Sequence, residues 1–359
     1  MKLKSIIKTD PNPSKSNRRF LVAASIGLAS ILMLLSPTPA AAVPTDNTAY
    51  VTNFGNNTVS VINTKNNQVI STIAGFNGPL GLAMTPDETK VYVANSGATP
   101  GTVSVIDTAT NNVVKTITTG NGPTIVAASG DGNNVYVTNQ NDGTLSVIAT
   151  ATNTVVATIA IGGAPVGAVV TPDSAHVYVT VFPNKVAVVS AATRTVTASI
   201  TDPSLSGVVL VAINPDGKTV YVSNEIGNKI TVISTATNSV TTTIPVGQIP
   251  LGLAVTPDGL HLYVANGADS TVSVISTATN TVTFTILGFD GPEGVTIAAD
   301  GSSIFVINFV NNSVSQINPA TNSIAATTAV GTEPTFTALP TVPAKTVTIL
   351  ASKPIDNKK

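Results

Sequence analysis

Seven near-copies of one five-residue string set the terms on which this chain can fold. They read AYVTN (49–53), VYVAN (91–95), VYVTN (135–139), VYVTV (177–181), VYVSN (220–224), LYVAN (262–266) and IFVIN (304–308). Their aromatic positions, Tyr50, Tyr92, Tyr136, Tyr178, Tyr221, Tyr263 and Phe305, follow at intervals of 42, 44, 42, 43, 42 and 42 residues. A unit of this length built from short strands cannot bury its own apolar faces and must stack on copies of itself. That is the pattern of propeller blades.

Each unit reads as four strands. In the third unit VYVTN is followed by TLSVIAT (144–150), TVVATIAI (154–161) and VGAVVT (166–171), all rich in β-branched residues. TPDS, NPDG and TPDG place Pro and Asp where a type I turn accepts them, and ATN supplies an Asn that tolerates positive φ. No helical period appears after residue 43. The strands are apolar on both faces, as with Val103 and Val105 on one and Ile106 on the other. Sheets stacked radially between neighbours need that, whereas a sheet with one wet face would alternate.

Ring closure is legible too. The apolar segment preceding each TPDG-type turn recurs at 80–85, 124–129, 166–171, 208–213, 251–256 and 293–298. The seventh copy is missing at the start and reappears at the end, as Pro334-Thr335-Phe336-Thr337-Ala338. The expected fold is all-β: a seven-bladed propeller of four-stranded antiparallel blades, closed by pairing the C-terminal inner strand with the N-terminal blade. Such closure leaves no exposed sheet edge in the ring.

The YVTN core, the VSVID strand (Val103 to Asp107), the TATN turn (Thr277 to Asn280) and the TPDG turn (Thr256 to Gly259) recur in order and phase. Over roughly residues 43–340 the chain therefore resembles the YVTN-family β-propeller repeat, a family that includes surface-layer and other exported proteins. The resemblance implies the fold more strongly than it implies a function.

The first 42 residues are of another kind. A basic start (Lys2, Lys4, Lys8, Lys15, Arg18, Arg19) precedes the apolar run FLVAASIGLASILMLL (20–35) and the small residues Ala40-Ala41-Ala42. This is a signal-peptide layout with cleavage expected before Val43. The run is short for a spanning helix. The expected organisation is a signal peptide at 1–42, the propeller at 43–340 and a tail at 341–359. Export to the periplasm, the cell surface or the medium is expected, with no stable membrane insertion after cleavage. Cleavage leaves 11 Lys+Arg against 17 Asp+Glu, a net charge of −6. A chain so acidic is not expected to bind nucleic acid. It has no Cys, which excludes disulfides and thiolate chemistry.

The repeated letters read as scaffold. All six tyrosines of the chain occupy the repeat position, and the seventh blade replaces the hydroxyl with Phe305. The Asn that follows (Asn53, Asn95, Asn139, Asn224, Asn266, Asn308) is expected to hydrogen-bond turn backbone in an Asx-type arrangement. Function must lie where the repeats disagree. His176 and His261 occupy equivalent positions in one set of turns and read as exposed turn residues. No HExxH, G-x-S-x-G or paired-carboxylate motif occurs.

Loops joining strands two and three share one face, here the top, with the connections between blades. Seven acids fall there: Asp142, Asp202, Glu225, Asp269, Asp290, Glu293 and Glu333, against Lys185 and Lys229. Two readings stay open: a solvated rim, or a cation site for Ca²⁺ with Glu225, Asp290, Glu293 and Glu333 as candidate ligands. No other cofactor is expected. Phe54, Phe76, Phe289, Phe309 and Phe336 fall in neighbouring top-face sectors spanning the closure. With Asp290, Glu293 and Glu333 around them they would form a partner patch, or else tuck down to plug the seam. A second irregularity, VFPNK (181–185) and TDPSLSG (201–207), sits opposite.

The leading expectation is an exported non-catalytic propeller that binds a protein or envelope component, oligomeric state unspecified. The alternative is an enzyme resembling seven-bladed lactonases, metal-dependent through the top-face acids.

Overall fold

The computed structural model describes residues 47–340. The expected signal peptide and tail lie outside the described residues. The described chain forms seven four-stranded antiparallel sheets in ring order. Blade one is completed by Pro334–Ala338, which lies against Thr48–Asn53 with Tyr50 opposite Ala338 and Val51 opposite Thr337. Blades two to seven then follow the sequence, and the all-β expectation holds.

The apolar core consists of seven clusters, each drawn from two adjacent blades. One joins Tyr50, Val59 and Val61 of blade one to Leu82, Val91 and Ile106 of blade two. Another joins Ala49 and Ile62 to Phe305 and Val314 across the closure. The ring is therefore held as much between blades as within them.

Each letter of the repeated string has a place in that arrangement. The two Val side chains of a copy fill one seam and its Tyr the seam on the other side, as Val135 and Val137 do against Tyr136, and four of the Tyr hydroxyls reach the next blade. Tyr50 Oη donates to Asn111 Oδ1 at 2.6 Å, Tyr92 to Asn153 at 2.5 Å, Tyr178 to Asn238 at 2.6 Å and Tyr263 to Asn322 at 2.9 Å. Those Asn residues close the ATN-type turns with φ of 49 to 53°, a left-handed conformation that Asn tolerates better than most residues. Burial pushes the Tyr50 and Tyr92 hydroxyls up to about 12, so they stay protonated donors. Where Phe305 lacks the hydroxyl, Asn67 of blade one donates instead to Gln316 at 2.7 Å. Changing Tyr92→Phe removes one such link and leaves Asn153 Oδ1 unpaired. It should cost about 1 kcal/mol in denaturant unfolding without altering the fold.

The Thr of the string also binds the next blade. Thr52 Oγ1 donates to the Leu80 carbonyl at 2.7 Å, Thr138 to Val166 at 2.8 Å and Thr180 to Val209 at 2.5 Å. The Asn meets the expected backbone bonding only in part: Asn224 Oδ1 accepts the Ser206 backbone N–H at 3.0 Å and its Nδ2 donates to the Lys229 carbonyl at 3.2 Å, whereas the other amide groups donate to side chains. Asn139 Nδ2 donates to the hydroxyls of Thr144 (3.0 Å) and Ser146 (2.9 Å) on the third strand, and Asn53, Asn95, Asn266 and Asn308 repeat the arrangement. The cause is position. Asn139 ends the second strand opposite Thr144, so its fully buried amide meets third-strand hydroxyls before it meets turn backbone.

One irregularity recurs in all seven blades and governs the axis. Pro79 pairs with Asn95 and Leu82 with Val93, so Leu80 and Gly81 together oppose Ala94. Equivalent shifts occur in blade one and in blades three to seven. A bulge of this kind bends a strand and re-aims its side chains. Here it points them into the axial channel.

Candidate active site

The bulges form two rings of residues. The upper is Leu80, Thr124, Val166, Val209, Leu251, Glu293 and Thr335. The lower is Gly81, Ile125, Gly167, Leu210, Gly252, Gly294 and Phe336. Glu293 is the one charged residue among these fourteen. Six upper-ring residues join Ile125, Leu210 and Phe336 in lining an open-mouthed chamber of about 190 Å³ on the axis. That is the scale of a single small ring: an apolar cavity of about 150 Å³ takes up benzene.

The chamber walls are apolar apart from Glu293 and Thr124, and the Thr124 hydroxyl is engaged with Thr138 Oγ1 (2.8 Å) and the Val166 carbonyl (3.0 Å). Burial raises the Glu293 carboxyl from 4.5 to about 7, and desolvation is the only cause acting on it. A group poised there exchanges its proton readily at neutral pH, which general acid–base chemistry requires.

The other top-face acids are placed differently. Asp142 accepts the Asn121 backbone N–H at 2.8 Å, Asp269 that of Gln248 at 2.7 Å and Asp202 that of Ser204 at 2.8 Å. They hold loop backbone. Hydrogen bonds from Ser204 keep the Asp202 carboxyl below its usual range. Among the described residues no three His, Cys, Asp or Glu side chains converge in a way that could hold a metal ion. Glu225, Asp290, Glu293 and Glu333 thus do not form the Ca²⁺ ligand set considered above. Glu293 has descended into the channel while Glu225 and Glu333 stay in loops two blades and one blade away.

The five Phe rings are likewise dispersed. Phe76 and Phe289 are buried in the seams between blades one and two and between blades six and seven. Phe336 lines the axial chamber. Phe309 is half-buried, and Phe54 is exposed. No single partner patch results, because the GF turns fold their rings inward between sheets. Phe182, in the opposite sector, is exposed.

His176 and His261 are exposed, as expected, on the rims of two clefts between blades. These clefts, of about 350 and 360 Å³, are larger than the axial chamber. Asp173 and Asp258 in these clefts are unsuited to proton transfer at neutral pH. Thr171 Oγ1 donates to Asp173 at 2.5 Å and Thr256 Oγ1 to Asp258 at 2.5 Å, holding both carboxyls below their ordinary value.

Known proteins agree on the fold and redirect the function. The family model described as "Lactonase, 7-bladed beta-propeller" matches residues 174–299, about a third of the chain and a stretch that includes Glu293. No curated protein matches. Among solved structures, hydrazine synthase of Kuenenia stuttgartiensis is similar at 20% identity and a TM-score of 0.68, over 75% of this chain and 91% of that one. A functionally unknown protein of Desulfotomaculum acetoxidans has 17% identity and a TM-score of 0.74, over 83% and 100%. A candidate 6-phosphogluconolactonase of Bacteroides uniformis has 17% identity and a TM-score of 0.69, over 81% and 99%. At such identities the structural likeness is one of fold. The lactonase family match over residues 174–299 overturns the expectation of a non-catalytic propeller. The non-catalytic expectation rested on the lack of a motif contiguous in sequence. A propeller site is assembled from single residues on different blades, so no such motif need exist.

Proposed function

We propose that the protein is a lactonase-like hydrolase whose reaction takes place in the axial chamber, with Glu293 as general base. The observation that carries this reading is the Glu293 carboxyl, raised to about 7 in an apolar chamber of small-ring size. The family match over 174–299 supports it. The leader-like N-terminus supports action outside the cytoplasm.

The chemistry requires little beyond this group. Carboxylate Glu293 takes a proton from a water molecule as the water oxygen bonds to the lactone carbonyl carbon. When the tetrahedral adduct collapses, the bond from that carbon to the ring oxygen breaks. The departing oxygen takes the proton back from Glu293, giving the open hydroxy acid. Water is consumed and no electrons are exchanged. The apolar walls lower the local dielectric beside Glu293, which strengthens the field of the carboxylate at the reacting atoms.

The test is ring opening of a panel of five- and six-membered lactones by residues 43–359, followed by acid release. The rate should rise with pH through about 7, because the base must be ionised. Glu293→Gln should lower kcat/KM by about 10²–10⁴-fold, the usual worth of a positioned base. An unchanged rate in that variant, or no hydrolysis of any lactone, would refute the assignment.

A further inference from the structure

The lower ring of bulge residues separates two spaces. Ile125, Leu210 and Phe336 line the upper chamber and also a second one beneath it, of about 170 Å³. Around the ring the order is Phe336, Gly81, Ile125, Gly167, Leu210, Gly252 and Gly294. Side chains and bare positions therefore alternate, except between Leu210 and Phe336. There two consecutive blades, six and seven, contribute only glycine, and Glu293 stands directly before Gly294 on the second of them.

The glycines are fixed by packing. A Cβ on Gly252 would stand 2.3 Å from the Glu293 carbonyl oxygen, and one on Gly294 would stand 2.9 Å from the Thr335 carbonyl oxygen. The inner strands of blades six, seven and one approach too closely for a side chain. The stretch of the lower ring that carries no side chain thus adjoins Glu293 as a consequence of how those blades pack.

The second chamber is lined by Leu82, Val126, Val211, Leu253 and Val295 among other residues, with no charged group. Its polar side chains are Thr296, whose hydroxyl donates to the Thr337 carbonyl at 3.0 Å, and Thr337. The upper chamber has no Lys, Arg or His on its walls. A phosphate or carboxylate on a ligand would be stripped of water there beside Glu293 with nothing to compensate it.

We propose that the site takes an uncharged lactone bearing an aliphatic substituent, with the ring beside Glu293 and the tail passing over Gly252 and Gly294 into the second chamber. This rests on the lactonase-like reading and sharpens it to a substrate class. The tail follows from the volumes: the upper chamber has the volume of one small ring, and a second apolar chamber shares Ile125, Leu210 and Phe336 with it.

The experiment is a homologous series of δ-lactones with side chains from methyl to heptyl, assayed with residues 43–359. A phosphorylated sugar lactone is run alongside. The expected result is a kcat/KM that rises about fourfold per methylene, the worth of burying one CH₂, until the second chamber is full. The phosphorylated compound should be the poorest substrate. Ala168→Phe, which places a ring in the second chamber, should flatten the dependence on tail length. The wild-type series decides the matter even if that variant fails to fold.

Hydrolysis that is indifferent to tail length, or that favours the phosphorylated lactone, would overturn this proposal while leaving the lactonase-like reading intact. Hydrolysis of none of the series would overturn both.

Discussion

Replacing Glu293 with Gln should make the protein more stable at pH 8 while removing its proposed base. The direction follows from where the proton is held. Below about pH 4.5 the carboxyl is protonated in both folded and unfolded chains and contributes no pH dependence. Between 4.5 and about 7 the unfolded chain has released its proton while the folded chain retains it. Folding stability therefore falls as pH rises through this window and levels off above it. Charging a carboxyl whose pKa is raised from 4.5 to about 7 costs about 3 kcal/mol.

Glu293→Gln removes that cost, so its advantage over the wild type should grow from near zero at pH 4.5 to as much as about 3 kcal/mol at pH 8. Urea unfolding at the two pH values measures it. The carboxyls held low by turn hydrogen bonds, such as Asp173 and Asp258, lose their contribution as pH falls. They do so equally in both proteins and cancel in the difference. An equal stability difference at both pH values would mean that Glu293 is solvated in the folded state, and the case for it as a base would fail with it. Retention of a destabilising charge is the trade expected of a residue kept for activity.

The fold was legible because a propeller writes its geometry repeatedly. Seven copies at intervals of 42 to 44 residues carry the blade count. The displaced copy at Pro334 to Ala338 carries the closure. What the letters do was less legible. Tyr92 and Asn153 lie 61 residues apart, and nothing local marks them as partners. That link becomes visible only once the YVTN and TATN positions are known to fall on adjacent blades.

The site was legible in part. Glu293 stands out in the sequence as a top-face acid, but so do six others. They differ in their place relative to the blade-entry proline. Glu293 follows Pro292 directly, where the other blades have Leu80, Thr124, Val166, Val209, Leu251 and Thr335. Aligning that single column isolates the charge. What the sequence does not reveal is the bulge that turns this position into the channel, because both residues of the bulge belong to an ordinary apolar run. The Phe residues misled for a related reason. GFNGP and GFDGP look like exposed loops, and their rings fold back between blades.

Ending the chain at residue 333 should abolish cooperative folding, whereas ending it at 341 should leave the melting temperature unchanged. The short segment Pro334–Ala338 is the inner strand of blade one, and its loss acts at three levels. It strips the backbone partners from Tyr50, Val51 and Asn53, leaving an open sheet edge. It removes the hydroxyl pair Thr52–Thr335 at 2.9 Å, and with Ala338 and Leu339 it uncovers the seams on both sides of blade one. It also deletes Phe336, a wall of both axial chambers. Because every blade is stabilised by its neighbours, one breach leaves two blades each with an unburied face. The expected loss is on the order of the whole stability of a domain, about 5–15 kcal/mol. Circular dichroism melts of the two truncations compare the outcomes directly. Adding a synthetic peptide of residues 331–341 to the shorter chain should restore a cooperative transition, since an extended peptide can occupy a vacant strand position. If the chain ending at 333 melts as the full chain does, blade one holds together on its three remaining strands and closure by the C-terminal strand is dispensable. If it unfolds and the peptide restores it, the strand acts through its place in the sheet, independently of covalent attachment to blade seven.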